Sequence, residues 1–142
     1  MTLAKRPHRY GNGLLAAPAA GRRAACAALV LAARRSIGSP KARAPVTVAF
    51  AVEQELSERG LATLANASGP FDETLIVDGR PGARGALHQV PDGDTAARWP
   101  ALGHVTRWSV PVSYGGTPVE TIAVGDVEAL RDALMKWIGG EP

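Results

Sequence analysis

The run of residues 46–55 constrains the fold of this chain more than any other stretch. Six of its first seven residues are apolar, and Val46, Val48, Phe50 and Val52 recur at a spacing of two. A short, β-branched run of this kind is typical of a strand in the middle of an α/β sheet, buried on both faces. We therefore predict a central strand here, and we expect any chemistry of the protein beyond its carboxyl end.

The remaining elements alternate between helix and strand. The sequence predicts helices over residues 22–36 and 56–67, strands over 74–78, 105–113 and 117–124, and a last helix that begins at an Asp126 N-cap. Residues 79–94 are predicted to be a surface loop, and Pro111 indicates that strand 105–113 is an edge strand or carries a bulge.

This order predicts an α/β fold, a single layered domain with a small mixed β-sheet flanked by helices. Within it, we expect residues 1–13 to be a flexible basic N-terminus and residues 14–142 to form the one domain.

Charge is distributed unevenly along the chain. No Asp or Glu precedes Glu53, although nine of the sixteen Lys and Arg residues do. Such a split fits either a nucleic-acid or anionic-surface contact, or compositional drift in an Arg- and Ala-rich sequence. Tyr10 is the only aromatic residue before Phe50, so the stacking residues of nucleic-acid binders are missing and nucleic acid is not the expected partner.

Cysteine content and hydropathy exclude further classes. The one cysteine, Cys26, excludes an internal disulfide framework and a Cys-rich zinc site, and we predict it to be a small core residue. The apolar run 24–33 is shorter than the roughly 20 residues that span a bilayer. Arginine pairs flank it on both sides, which is atypical of a signal peptide. We expect a cytoplasmic protein without a membrane partner.

Common catalytic signatures are absent. The sequence has no phosphate-binding Gly-rich loop, HExxH, CxxC or GxSxG motif. Its three histidines, His8, His88 and His104, are far apart along the chain.

Three collinear segments nevertheless resemble one family. They are GNGLLAAPAAGRRAACAALVLAARR (11–35), AVEQELSERGL (51–61) and VPVSYGGTPVETIAVGDVEAL (110–130). Together they resemble the C-terminal half of the tetrahedral and glutamyl aminopeptidases, which are dinuclear metallo-aminopeptidases. The resemblance implies a truncated metallo-aminopeptidase-like fold, without the part that carries the first His-x-Asp motif and without the inserted oligomerisation domain.

The resemblance assigns the family's functional positions to residues of this chain. The metal-bridging Asp falls on Gly21, the general-base Glu on Gln54 and the last His ligand on Gly116, so none of these three groups is retained. Two metal ligands are retained, as Glu55 and Asp78. An amide such as Gln54 is not a base near neutral pH, and two carboxylates do not make a dinuclear site.

We therefore expect a degenerate, catalytically inactive relative that uses its fold as a binding or scaffolding module. A small molecule or peptide would occupy the old crevice, whose candidate residues are Gln54, Glu55, Asp78, Tyr114 and Gly116. Glu55 and Asp78 either pair with nearby arginines such as Arg22 or Arg23, which we prefer, or hold a vestigial divalent metal, zinc or manganese in the family. No cofactor is otherwise expected.

Two alternatives remain open at this point. The first is a residual zinc-type aminopeptidase that a complementing peptidase subunit completes. The second is a binder of nucleic acid or anionic surfaces through the basic N-terminal third. A sheet cut from a larger sheet also exposes an edge, which makes a homo-oligomer a further expectation.

Overall fold

A computed structural model describes residues 6–36, 45–51 and 58–139 of the chain. In these ranges the helices are α1 (Ala20–Ser36), α2 (Arg59–Ser68), α3 (Gly93–Arg98) and α4 (Val124–Gly139). The strands are β1 (His8–Tyr10), β2 (Leu14–Ala16), β3 (Glu73–Pro81), β4 (His88–Pro91), β5 (His104–Val112) and β6 (Thr121–Ala123). One sheet has the order β1-β2-β6, and the other has the order β3-β5-β4.

The chain divides into two compact units. The first unit comprises Met1–Val46, Val77–His88 and Ser109–Pro142, and the second comprises Thr47–Ile76 and Gln89–Trp108. The first unit therefore combines segments from both ends of the chain.

Packing of α1 against α4 forms the core of the first unit. The buried side of α1 consists of small residues, which include Ala24, Ala25, Ala28 and Ala32. The buried side of α4 carries the large aliphatic residues Leu130, Leu134 and Ile138. Because alanines leave room for neighbouring leucines, the two helices can approach closely and still exclude water.

A compact apolar cluster holds the second unit together. It consists of Leu61, Ala65, Ile76, Leu102 and Val105, with Phe71, Ala96, Trp99 and Ala101 packed around it. The cluster thus joins α2, the short 3-10 helix Pro100–Leu102 and two strands.

An ion pair between the buried Arg107 and the part-buried Asp92 adds to this unit. Arg107 donates hydrogen bonds to Oδ2 of Asp92 from Nε at 3.0 Å and from a terminal nitrogen at 2.6 Å. Burial alone would raise the pKa of Asp92, but the hydrogen bonds from Arg107 and from the Thr95 N–H leave that pKa below its ordinary value.

The predicted fold class is confirmed, since the described residues form small mixed sheets flanked by helices. The predicted helix 22–36 is α1, the predicted helix 56–67 is α2 from residue 59 onward, and strand 74–78 is the middle of β3. The division into residues 1–13 and a single domain over 14–142 stays a prediction. Residues 8–10 of the expected flexible terminus form β1, which pairs with β2.

The prediction of a central strand over residues 46–55 is wrong for the part of that run that the structure describes, residues 46–51. Residues 45–51 form no strand and are all exposed, with 42% of Val46 and 55% of Phe50 accessible to solvent. Strand propensity measures how well a residue fits a pleated surface that neighbouring strands provide. In this fold β5 takes the middle position of the sheet instead.

Four smaller predictions also need correction. Residues 79–94 are not one loop, because β3 extends to Pro81 and β4 follows. Pro111 does not mark an edge strand, since it is the next-to-last residue of the central β5, where the ladder is about to end. Asp126 is not an N-cap, because α4 begins at Val124 and the Asp126 carboxylate instead accepts from the Gly85 N–H at 2.9 Å. Cys26 is exposed on the outer side of α1.

Replacing Asp92 by Asn tests the ion pair with Arg107. We expect the D92N change to lower the free energy of unfolding by about 1–3 kcal/mol at pH 7, because the buried Arg107 loses the carboxylate that accepts from two of its nitrogens. The lowered pKa of Asp92 stabilises the fold above its unfolded pKa of about 3.9, and this contribution is lost as the pH falls through the lower folded pKa. The difference between the wild type and D92N should therefore shrink below pH 4 in urea titrations.

The matched control is D132N, which removes an exposed ion pair of similar length, 2.7 Å between Arg131 and Asp132. We expect little change in stability from this control. A D92N effect as small as that of D132N would contradict the role given to the pair of Arg107 and Asp92.

Candidate functional site

The N-terminus of α1 lies directly against the backbone of β3 in the first unit. A Cβ atom built on Gly79 would lie 2.6 Å from Cα of Gly21, and one built on Gly21 would lie 3.0 Å from Cα of Gly79. Real side chains do not come this close to a backbone. The contact therefore requires glycine at both positions, and it places Gly21 beside the residue that follows Asp78.

The carboxylate of Glu120 also contacts the start of α1 at Gly21. Glu120 is buried, and its Oε1 accepts a hydrogen bond from the Gly21 N–H at 2.7 Å. The first N–H groups of a helix have no partner within the helix and carry its partial positive charge. Glu120 thus serves α1 as an N-terminal acceptor from a position 99 residues away in the sequence.

A short turn holds Glu120 in place. Ser113 and Thr121 exchange two backbone hydrogen bonds of 2.9 Å across it, and the backbone carbonyl of Glu120 accepts from the Ala17 N–H at 3.0 Å. Both the main chain and the side chain of Glu120 are therefore anchored to the segment that leads into α1.

Asp78 is also engaged by neighbouring side chains. Its Oδ1 accepts from the Ser109 hydroxyl at 2.6 Å, and its Oδ2 lies 3.5 Å from Nε of Arg80. Both Asp78 and Ser109 are buried. A metal ion would have to compete with the serine hydroxyl and the guanidinium for these carboxylate oxygens.

The turn at residues 114–116 lies in solvent near the end of β3. Tyr114 is 70% exposed, and a Cβ atom on Gly115 would meet the Pro81 ring at 3.3 Å. Gly116 has a φ of +74° and has nothing within 4 Å of its Cβ position. A histidine at Gly116 would find space, but it would have to adopt a left-handed backbone conformation.

The structure brings together only part of the predicted site. Gly21 and Asp78 are neighbours through the Gly79 contact, and the turn carrying Tyr114 and Gly116 borders the end of β3. Gln54 and Glu55 lie outside the described residues. Asp78 lies 3.5 Å from Arg80, whereas the sequence predicts Arg22 or Arg23 as its partner, and that pairing stays a prediction.

Sequence reasoning missed Glu120 and Ser109 as partners of this site. The signal for Glu120 was its place in the Thr-Pro-Val-Glu segment of the resemblance. Nothing in the local pattern indicates that it reaches a backbone amide, since that contact depends on the tertiary fold. Ser109 lies inside a strand, where a serine gives no periodic signal of its own.

The donor set here does not fit a dinuclear metal centre. Among the residues that the structure describes, no group of three or more His, Cys, Asp or Glu residues could hold a metal ion. The bridging position at Gly21 has no room for a side chain, because Oε1 of Glu120 lies 2.9 Å from its Cβ position and a methyl carbon of Val112 lies 3.0 Å from it.

One solved structure has the same architecture as this chain. It is that of PhTET1-12s, a TET aminopeptidase that forms a dodecamer in its asymmetric unit, with a TM-score of 0.70 and 17% sequence identity. The fold is peptidase-like. The alignment covers 94% of this chain and 53% of the PhTET1-12s chain, so this chain spans about half the length of that protein.

Sequence comparisons and hydropathy add little beyond the fold. No protein-family model matches the chain, and no curated protein matches it. Within the described ranges, none of the helices is both long enough and apolar enough to cross a membrane. A cytoplasmic location stays a prediction.

Substitution of Gly21 by Ala tests the contact between α1 and β3. Glycine-to-alanine changes inside helices usually stabilise by up to about 1 kcal/mol. Here the added methyl group would clash with Glu120, Gly79 and Val112, so we expect G21A to lower the free energy of unfolding by about 1–3 kcal/mol. Chemical denaturation at pH 7 measures the change.

The matched control is G125A, since Gly125 is likewise the second residue of its helix but has nothing within 4 Å of its Cβ position. G125A should be neutral or slightly stabilising. Equal effects of G21A and G125A would contradict the tight contact.

Proposed function

We propose that this protein is a degenerate metallo-aminopeptidase-like protein without peptidase activity, and that it retains the fold as a binding or scaffolding module. The observation that carries the proposal is the filled space at Gly21. Where the family resemblance implies a metal-bridging carboxylate, Glu120 accepts a hydrogen bond from the backbone of Gly21 itself.

The chemistry of hydrolysis supports this reading. A hydrolytic zinc site needs about three protein ligands and an open position for water. An aspartate at Gly21 would have to displace Glu120, Val112 and the backbone of Gly79. Asp78, the one retained ligand position among the described residues, already accepts a hydrogen bond from Ser109.

A binding role needs an accessible surface near the old crevice. The turn with Tyr114 and Gly116 supplies one, because a largely exposed tyrosine offers both an aromatic face and a hydroxyl to a peptide or small molecule. Gln54 and Glu55 belong to the same proposed rim through the family resemblance.

A second candidate is a peptidase that a complementing subunit completes. The matched half of the PhTET1-12s chain favours it, since the other half has no counterpart in this alignment. That neighbour is also a dodecamer, which supports self-association as part of either proposal. Under the second candidate, the isolated protein is inactive and gains activity only with its partner.

The first test is metal-dependent hydrolysis. Purified protein is incubated with zinc, manganese or cobalt and a chromogenic leucine amide, and we expect no hydrolysis above that of a chelator-treated sample. We also expect no metal-dependent rise in Tm. A metal at 100 times its Kd would stabilise the fold by about 2.7 kcal/mol, roughly 10 °C for a chain of this size.

The control variant is D78N, which should behave like the wild type in both assays. Metal-dependent turnover that D78N abolishes would overturn the proposed loss of activity. Turnover that appears only in a larger assembly purified from the native host, and not in the isolated chain, would favour the complementing-subunit candidate instead.

A further inference from the structure

The outer side of α1 carries apolar residues where a surface helix usually carries polar ones. Its inner side consists of buried alanines, whereas Val30 and Leu31 are 41% and 45% exposed. Cys26 and Ala27 beside them are exposed as well. Two of the three large aliphatic side chains of α1 therefore face solvent, which is the reverse of an ordinary amphipathic helix.

Two of these residues, Ala27 and Val30, lie on one line along the helix between two arginines, with Cys26 and Leu31 beside it. Arg23, Ala27, Val30 and Arg34 follow one another at spacings of four, three and four, and we refer to them as the α1 seam. Steps of three and four residues keep side chains on the same helix face. Because an α-helix has about 3.6 residues per turn, these steps keep all four side chains along one line of its surface.

An arginine lies at each end of the α1 seam. Arg23 and Arg34 are exposed, and within the described part of the chain neither forms an ion pair. Eleven residues of helix separate them, a distance of about 16 Å at 1.5 Å per residue. The sequence supplies no Asp or Glu anywhere before Glu53, so α1 has no acidic side chain of its own to balance them.

The two arginines favour a binding partner with negative charge over a second copy of α1. A second copy of α1 would place arginine against arginine in either direction, whether parallel (Arg23 on Arg23) or antiparallel (Arg23 on Arg34). Like charges held together in this way oppose association. The complementary occupant has small or aliphatic residues in the middle and acidic residues about 16 Å apart.

We propose that the α1 seam is a docking surface for an amphipathic helix of a partner protein that carries acidic residues at both ends of its contact line. This interaction is independent of the old crevice and of the proposed loss of peptidase activity. An anionic membrane would also attract the arginines, but two exposed aliphatic side chains give it little apolar surface to bury.

A peptide derived from α1 itself tests the proposal. The probe is a labelled peptide of residues 18–36 that carries R22E, R23E, R34E and R35E, and the control peptide has the natural sequence. In fluorescence anisotropy the full-length protein should bind the acidic peptide and not the natural one. In 1 M salt, where the Debye length is about 3 Å, this binding should weaken markedly.

Protein variants locate the contact. R23E/R34E in the full-length protein should weaken binding of the acidic peptide by about tenfold or more, and it should create binding of the natural peptide. The charge-matched control R6E/R9E changes two exposed arginines outside α1 and should leave the affinity within about twofold. Circular dichroism checks that each variant keeps its helices.

Three outcomes would overturn the proposal. The first is no binding of the acidic peptide by the folded wild type. The second is binding that R6E/R9E weakens as much as R23E/R34E. The third is failure of the peptide to bind, together with R23E/R34E-sensitive binding to vesicles that contain phosphatidylglycerol, which would identify the arginines as a membrane contact.

Discussion

The hydrogen bond from the Gly21 N–H to Glu120 organises the first unit of this protein. It joins the start of α1 to the turn before β6, while the backbone of Gly21 rests on Gly79 of β3. A helix start, a strand and a turn from three distant parts of the sequence meet there, and the backbones of Gly21 and Gly79 are in direct contact. A buried carboxylate needs hydrogen-bond donors, and the first amides of a helix need acceptors. The hydrogen bond between Gly21 and Glu120 supplies a partner to both groups.

The same contact is the basis of our proposal that the chain shares the fold of an aminopeptidase without its chemistry. In a dinuclear centre, the positions around Gly21 would hold cations between carboxylates. In this chain an internal carboxylate meets a helix amide, and Asp78 meets a serine hydroxyl and an arginine. Attraction between opposite charges is retained within the protein, and the described residues leave neither space nor free ligands for the ions.

Local pattern predicted the helices well and the sheet poorly. The alanine-rich run of α1 and the leucine periodicity of α4 determine helices that tertiary packing then uses, so both appear where the sequence indicates them. The run at 45–51 has an equally strong strand pattern but no strand of its own, because pairing depends on which neighbours the fold provides. The prediction from Pro111 is wrong for a related reason. A proline lacks the backbone N–H, and the free energy lost with that hydrogen bond depends on how near the residue lies to the end of the strand.

The candidate site was predictable only in part. The family resemblance brought Gly21 and Asp78 into one neighbourhood, and the structure has them adjacent. The bond to Glu120 spans 99 residues, and no periodicity or motif spacing encodes a contact of that kind. Asp126 illustrates the same limit, since an acid near the start of a helix suggests a local cap, yet its carboxylate is bonded to the distant Gly85.

The interleaved order of the first unit also affects how the chain is made. Its helix α1 is synthesised early, but the leucines that cover its alanines lie on α4, near the other end of the chain. During translation α1 therefore leaves the ribosome with its small-residue face unprotected, until more than a hundred further residues have been added. The residues of the second unit are all synthesised before α4, so its apolar cluster can form before the alanines of α1 are covered.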